Sequence, residues 1–150
     1  MKTFAFKFEP VLKLRRYRRD LCRQLLAQVL ADDAQLVSQR QSMESARQHQ
    51  LAELRSLSEG GVVDISGAAS RRYYIGQLAG EIRAVEHRRE VVAQQIALCR
   101  QALVRADQDV KALEKIGEKQ RREYEDEQDR LGARELEDVW SSARSAEIRR

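Results

Sequence analysis

The sequence predicts an all-α protein: an elongated, antiparallel two-helix coiled-coil hairpin in which the second helix overhangs the first. Three observations support this fold: the composition, a glycine-rich segment in mid-chain, and a 3.5-residue apolar repeat after it. Of 150 residues, 35% are charged and 5% are aromatic, with 7 Gly and one Pro. β-Sandwiches and barrels need many turns and many aromatic or β-branched residues, so the composition excludes them.

The first helix is predicted over about residues 8–58, where apolar residues recur three, four and seven positions apart. Pro10 fits its first turn, because the missing N–H costs no hydrogen bond there. The predicted inward stripe of this helix comprises Val11, Leu14, Leu21, Leu25, Val29, Leu36, Met43, Leu54 and Leu57.

A short connection is predicted over about residues 59–67, because three of the seven glycines lie there. Asp64, Ser66 and Ser70 are candidate N-caps of the following helix. The second helix is predicted over about residues 68–148. The whole chain, residues 1–150, is expected to form a single coiled-coil domain.

The second helix carries the strongest pattern in the chain. Its stripe alternates three- and four-residue steps over more than five heptads, which specifies a left-handed coiled coil. Beyond Leu113 the stripe fades, and oppositely charged i,i+4 pairs favour a helix that stands in water without a partner. The stripe comprises Ile75, Leu78, Ile82, Val85, Arg89, Val92, Ile96, Cys99, Leu103, Ala106, Val110 and Leu113.

A hairpin closed near residue 62 predicts that the numbers of facing residues sum to about 124. Arg89, the polar residue of the second stripe, should then lie within reach of Asp32 or Asp33. A single polar pair in a coiled-coil seam sets the register. The same rule places Cys22 within about one turn of Cys99.

No motif of an enzyme, a nucleotide-binding site or a metal site is present, so we predict no catalytic residue, cofactor or metal. The two cysteines are too few and too far apart for a disulfide scaffold, and we expect both to be small seam residues. No run of about 18 apolar residues and no secretory signal is found, so a cytoplasmic location is expected.

The N-terminal arm is the basic part of the chain. Residues 1–24 contain eight basic and two acidic residues, a net charge of +6, whereas the whole chain carries +4. Residues 13–19 therefore form a solvated helix face or a protein-docking surface. Nucleic-acid binding is disfavoured because no recognised motif accompanies the charge.

Phe4, Phe6 and Phe8 form an aromatic start that leads into a basic helix, Tyr74 lies at the start of the second helix, and Tyr124 is followed by an acidic pair at residues 137–138. In these features the chain resembles the flagellar export protein FliJ family over nearly its whole length. Gly117 and Gly132 depart from the family pattern, at about 1 kcal/mol each relative to Ala. The matching positions are Phe4, Phe6, Phe8, Glu9, Val11, Leu12, Leu14, Arg15, Tyr74, Leu78, Ile82, residues 112–116, Tyr124, Glu127 and residues 135–138.

The resemblance implies a soluble, non-enzymatic part of the flagellar type III protein export apparatus, serving flagellum biogenesis, motility and chemotaxis. It implies a stalk in the export ATPase hexamer (FliI-like) that links it to the export gate protein (FlhA-like) and escorts export chaperones. The expected place is the cytoplasmic face of the inner membrane near the flagellar base, peripheral to the membrane.

The stalk analogy also assigns candidate contacts at the two ends of the hairpin. At the ATPase end these are Arg15, Arg16, Arg19, Arg121, Arg122 and Trp140. At the gate end they are Leu54, Tyr73 and Tyr74. Large aromatic residues on a thin helical protein are favoured interface anchors.

Two other functions fit the same residues. An injectisome stalk protein would perform the same physical task in another secretion system. A self-associating coiled-coil scaffold would pair its free C-terminal helix with a second copy.

Overall fold

The computed structural model describes residues 4–62 and 64–148, with side chains up to residue 145. It contains two helices, α1 (Glu9–Glu59) and α2 (Ile65–Ile148), and no strand within the described residues. The helices are antiparallel partners in a hairpin, which confirms the predicted fold class.

The start of α1 follows from the segment that precedes it. The backbone N–H of Glu9 donates to the carbonyl of Phe6 at 3.1 Å, and that of Leu12 donates to the carbonyl of Phe8 at 2.9 Å. Pro10 occupies the first turn, where no N–H is needed.

The connection between the helices is shorter than expected. α1 ends at Glu59, and Gly61 adopts the left-handed φ of 72° that residues other than glycine rarely adopt. α2 begins at Ile65 rather than near residue 68, because Asp64 caps it. The Asp64 carboxylate accepts a hydrogen bond from the Gly67 N–H at 3.1 Å, and the Asp64 carbonyl accepts one from the Ala68 N–H at 2.9 Å.

The chain divides into two compact units, and each contains a segment of α1 beside a segment of α2. The terminal unit comprises Met1–Asp20 and Val104–Arg150, and the loop unit comprises Leu21–Leu103. The expectation of one domain over residues 1–150 stays a prediction.

The predicted stripe of α2 faces α1. Each of its positions from Ile75 to Leu113 is buried or half-buried, and the same frame stays half-buried through Gly117, Gln120 and Tyr124. Among the described residues, the buried apolar side chains on the two helices are Leu12, Val29, Leu78, Ile82, Val85 and Val110.

The stripe predicted for the first part of α1 is wrong by about one residue. Val11, Leu14, Leu21 and Leu25 are 41–54% exposed, whereas Leu12 is buried and Leu26 is half-buried. Apolar residues occupy two neighbouring faces here, so periodicity alone did not distinguish them. Half-buried residues, some apolar and some polar, complete the observed seam of α1. They are Arg15, Arg19, Cys22, Asp33, Leu36, Met43, Arg47, Gln50, Leu54 and Leu57.

Interhelical contacts fit the predicted register in each unit. In the loop unit, residue numbers of the hydrogen-bonded and ion-paired partners sum to between 121 and 126. In the terminal unit, the corresponding contacts give sums between 123 and 130. Both ranges include the expected value of about 124 for an antiparallel hairpin.

Candidate partner-binding surfaces

Two arginines of α1 are ion-paired across the helix pair of the terminal unit. Nη1 of Arg15 lies 2.9 Å from Oδ2 of Asp109. Nη2 of Arg16 lies 2.8 Å from Oε1 of Glu114, and its Nε adds a second hydrogen bond of 3.3 Å. All four side chains are 37–52% exposed, so solvent screens the pairs and each stabilises the fold modestly.

The aromatic segment, residues 4–8, extends the contact with α2 beyond the start of α1. The rings of Phe4 and Tyr124 are tilted with centroids 5.7 Å apart. Phe6 lies against Gly117, and its ring is also edge-on to Phe8 at 5.8 Å. These contacts account for the half-burial of α2 as far as Tyr124.

Gly117 has a packing role that the sequence did not indicate. A Cβ built at this position would lie 3.5 Å from the nearest atoms of the Phe6 ring. That is ordinary contact, so alanine fits, but a longer side chain would push the ring away. The aromatic segment therefore packs against α2 at a seam position that has no side chain.

An open cavity of about 650 Å³ lies beside the aromatic segment. Its apolar wall includes Phe4, Phe6 and Leu12, and its charged rim includes Arg16 and Arg121. Glu9, Glu114 and Glu118 add the opposite charge to the same rim. The cavity offers an apolar surface bordered by both signs of charge, which suits a protein side chain.

Beyond Tyr124, α2 is exposed. We call residues 125–145 the α2 extension; of these only Gly132 is half-buried. The extension bears Leu136 and Val139, 64% and 63% exposed, and Trp140, 77% exposed. Their three- and four-residue spacing places all three on one helix face.

The sequence profile described as Flagellar FliJ protein matches residues 4–144. The chain belongs to the flagellar FliJ family. No curated protein and no solved structure gives a significant match. As a FliJ-family protein, it is a component of the flagellar protein export apparatus.

The cations expected to reach a partner of this FliJ-family chain are largely occupied within the chain. Arg19 contacts Asp20 at 3.2 Å and Arg121 contacts Glu125 at 3.0 Å, beside the interhelical pairs of Arg15 and Arg16. Arg122 is exposed, as is Trp140. Their roles in partner binding stay predictions.

Two other cations are better placed for a partner. Lys13 and Arg18 are exposed on α1, and neither forms an ion pair within the part of the chain that the structure describes. Both belong to the basic stretch 13–19 that the sequence indicated, but they were not among the predicted ATPase contacts, because they can be recognised as outward-facing only once the seam of α1 is known.

The residues expected at the gate end differ in exposure. Leu54 is half-buried on the α1 seam, so its main contact is within the hairpin. Tyr73 is 71% exposed and Tyr74 is 42% exposed. The Tyr73 hydroxyl accepts a hydrogen bond from Nε2 of Gln77 at 3.2 Å, which leaves the ring accessible.

Arg89 and Asp33 meet in the loop unit through two hydrogen bonds. Nε of Arg89 donates to Oδ1 of Asp33 at 2.9 Å, and Nη2 donates to Oδ2 at 3.3 Å. The hydrogen bond from Arg89 lowers the pKa of Asp33 although burial acts to raise it. The pKa of Arg89 is raised, chiefly by the same hydrogen bond. Asp32, the other candidate, is exposed.

Other chemistry is sparse on the described residues. Within residues 4–62 and 64–148, no three His, Cys, Asp or Glu side chains are arranged to hold a metal ion. Cys22 and Cys99 are free thiols and half-buried. Neither helix, over its described length, has the apolar stretch that a membrane span requires.

Proposed function

We propose that this FliJ-family chain is the stalk that couples the export ATPase hexamer (FliI-like) to the export gate (FlhA-like) and escorts export chaperones. Its expected place is the cytoplasmic face of the inner membrane near the flagellar base. The observation that carries the proposal is the α2 extension, a helix of 21 residues that its own chain leaves almost wholly exposed.

The terminal unit is suited to the ATPase because it combines an exposed helix with exposed cations. The α2 extension presents Trp140, and α1 presents Lys13 and Arg18. Aromatic and arginine side chains dominate binding energy at protein interfaces. Arg15, Arg16, Arg19, Arg121 and Arg122 complete the proposed ATPase-binding set.

The loop unit is suited to the gate because Tyr73 and Tyr74 expose their rings on α2. Leu54 contributes to this surface through its exposed part. The two proposed contacts are separable by mutation, since their residues belong to different units.

The rate of ATP hydrolysis by the same organism's flagellar export ATPase, titrated with this chain, tests the proposal. We expect stimulation that saturates near one chain per hexamer. Absence of stimulation, with an ATPase shown to be active and hexameric, would contradict the stalk function. Stimulation of an injectisome ATPase instead would assign the chain to that system.

Charge reversals locate the contact. Arg18→Glu should weaken stimulation about tenfold, because the cation is exposed and available to an acidic partner. Arg83→Glu is the matched control: it makes the same charge change at an exposed position in the loop unit and should leave stimulation unchanged. Tyr73→Ala with Tyr74→Ala should keep stimulation and lose capture of the gate protein.

Self-association is a second candidate function, favoured by the exposed Leu136, Val139 and Trp140 face of the extension. In that case the mass in solution should rise with concentration, and Trp140→Ala should abolish the rise. A monomer at every concentration would rule it out.

A further inference from the structure

An uncharged band crosses the loop unit. Residues 24–31 of α1 and residues 91–99 of α2 contain no Asp, Glu, Lys or Arg, in a chain of which 35% is charged. Other uncharged runs of similar length, such as residues 73–80, face charged residues on the opposite helix.

The two uncharged segments face each other. The ion pair between Arg89 and Asp33 adjoins them and fixes the local register, in which facing residue numbers sum to 122. That register sets residues 24–31 opposite residues 91–98. Inside the pair, Val29 is buried and Leu26 and Ile96 are half-buried.

The outward surface of the band is apolar or neutral on both sides of the seam. Leu25 precedes the seam residue Leu26, whereas Leu30 follows the seam residue Val29, so they flank the seam on opposite sides. Leu25 is 54% exposed and Leu30 is 41% exposed; on α2, Leu98 is 66% exposed. By heptad phase Leu98 lies on the same side as Leu25. Val91, 45% exposed, adds a further apolar side chain on α2, and alanines and glutamines make up the rest of the exposed band.

The dimensions of the band decide what can cover it. Eight or nine residues of helix span about 13 Å along the axis. A pair of helices, each about 10 Å wide and 8–10 Å apart, has a perimeter of about 50 Å. The band therefore offers about 650 Å² all round, close to the ~800 Å² per partner of a stable interface. A partner on one side would reach less than half of that area.

A partner lying along the helices would also leave the band after about two turns and meet charged residues at each end. An encircling partner stays within the uncharged zone. Its lining must be apolar or neutral, because a charge buried against the band would lose its hydration without gaining an ion pair.

We infer that residues 24–31 and 91–99 form a collar gripped by a ring-shaped partner with an uncharged lining. The inference rests on the proposed function, in which that ring is the export ATPase hexamer. The collar adds a contact with the ring in the loop unit to those proposed in the terminal unit. Neither the charge pattern nor the exposed aromatic residues had indicated the residues of the collar.

The test places one charge on each side of the band in the full-length chain. Leu30→Lys and Leu98→Lys should each raise the chain concentration needed for half-maximal ATPase stimulation about tenfold, because a charge must be desolvated in the collar. Gln39→Lys on α1 and Ala84→Lys on α2 are the matched controls, exposed in the same unit but outside the band. They should change that concentration less than about twofold.

Leu30→Gln and Leu98→Gln separate the effect of the added charge from that of losing the leucine side chain. The concentration for half-maximal stimulation should lie between those of wild type and the lysine variants. Helical content by circular dichroism verifies the fold. If a lysine variant loses helix, an exposed residue on the same side of the band replaces it: Ala27→Lys replaces Leu30→Lys, and Gln95→Lys replaces Leu98→Lys.

Each outcome is decisive. If lysine variants on both sides of the band weaken stimulation, the collar is supported. If only the variant on one side weakens it, the partner does not encircle the hairpin. Stimulation by wild type that no band variant weakens overturns the collar and leaves the stalk function standing. No binding or stimulation by wild type overturns the stalk function and the collar together.

Discussion

The two helices build the same seam from different residues. On α2 the inward positions are apolar almost throughout, and Leu78, Ile82, Val85 and Val110 are buried. On α1 the inward positions include Arg15, Arg19, Asp33, Arg47 and Gln50, all half-buried. The α2 side of the seam is therefore almost wholly apolar, whereas the α1 side mixes apolar residues with long polar side chains that cover the apolar surface of α2.

Long cationic side chains suit the covering role. Their aliphatic stems pack over apolar neighbours while their charged ends reach solvent or an acidic partner. Arg15 reaches Asp109 at 2.9 Å in this way, and Arg40 reaches Glu86 at 2.9 Å. The arrangement has a local cost at Arg47, whose buried Nε has no hydrogen-bond partner within the described residues.

The largest expected effect on the free energy of unfolding compares a buried apolar residue of α2 with a long cationic residue of α1. Ile82→Ala should lower the free energy of unfolding by about 2–3 kcal/mol, because it removes buried methylenes and leaves a cavity. Arg40→Ala, on the other helix, should cost about 0.5 kcal/mol or less, since it removes an exposed ion pair. Urea unfolding measures both. Equal losses would contradict the unequal roles of the helices.

Gly117 tests the glycine of the α2 seam against which Phe6 lies. Gly117→Ala should raise the free energy of unfolding by about 1 kcal/mol, because alanine favours helix and fits beneath Phe6. Gly117→Leu should instead displace Phe6 and release Tyr124 from the aromatic segment.

Thermal unfolding, with tyrosine fluorescence for the second variant, checks these outcomes. Gly132→Ala is the control, since nothing lies within 4 Å of its Cβ position. If Gly117→Ala destabilises the chain, the contact with Phe6 is tighter than the structure shows.

The pair of Arg89 and Asp33 tests the one charged position of the α2 stripe between Ile75 and Leu113. The folded-state pKa of Asp33 is lowered, so its ion pair stabilises the fold above the unfolded pKa of about 3.9. That stability should be lost as pH falls through the lowered pKa of the folded state. Asp33→Asn should therefore lower the Tm at pH 7 and reduce its fall on acidification.

Asp32→Asn, at the exposed neighbouring aspartate, is the matched control and should follow the wild-type pH profile. Arg89→Leu alone should lower the Tm by leaving Asp33 half-buried without its partner. Arg89→Leu with Asp33→Leu should restore or raise it, because a well-packed apolar pair can replace an ion pair. If α1 and α2 adopt several alternative alignments in the double variant, the ion pair of Arg89 and Asp33 sets the register of the hairpin.

The smallest expected effect on stability lies in the α2 extension. Trp140→Ala should change the free energy of unfolding by less than about 0.5 kcal/mol, because the side chain is 77% exposed. The same variant should weaken ATPase stimulation if the extension binds the ring. A large loss of stability without a partner would mean that Trp140 is buried in solution, for instance by a second copy.

Much of the arrangement followed from the sequence because it depends on local periodicity. The α2 stripe, the two-helix hairpin and the register near 124 all derive from residue spacing and loop position. Arg89 meets Asp33, one of the two aspartates that the register named. The stripe of α1 did not follow, because residues 11–30 carry apolar side chains on adjacent faces.

The candidate surfaces were less accessible to sequence reasoning. Whether an arginine is free for a partner depends on the acidic residue opposite it, so the pairing of Arg16 with Glu114 could not be read from α1 alone. Lys13 and Arg18 emerged as exposed cations only after the seam was placed. The facing of two uncharged segments likewise depends on the exact alignment of α1 with α2.

The sequence by itself determined that the chain forms two long helices, where they turn, and which face of α2 points inward, because helical period and glycine placement are local properties. Only the tertiary structure decided which face of α1 meets α2, how far the aromatic segment extends the pair, and why Gly117 is tolerated. Those features depend on side chains about 100 residues apart in the chain, such as Phe6 on Gly117, and no local pattern encodes such a contact.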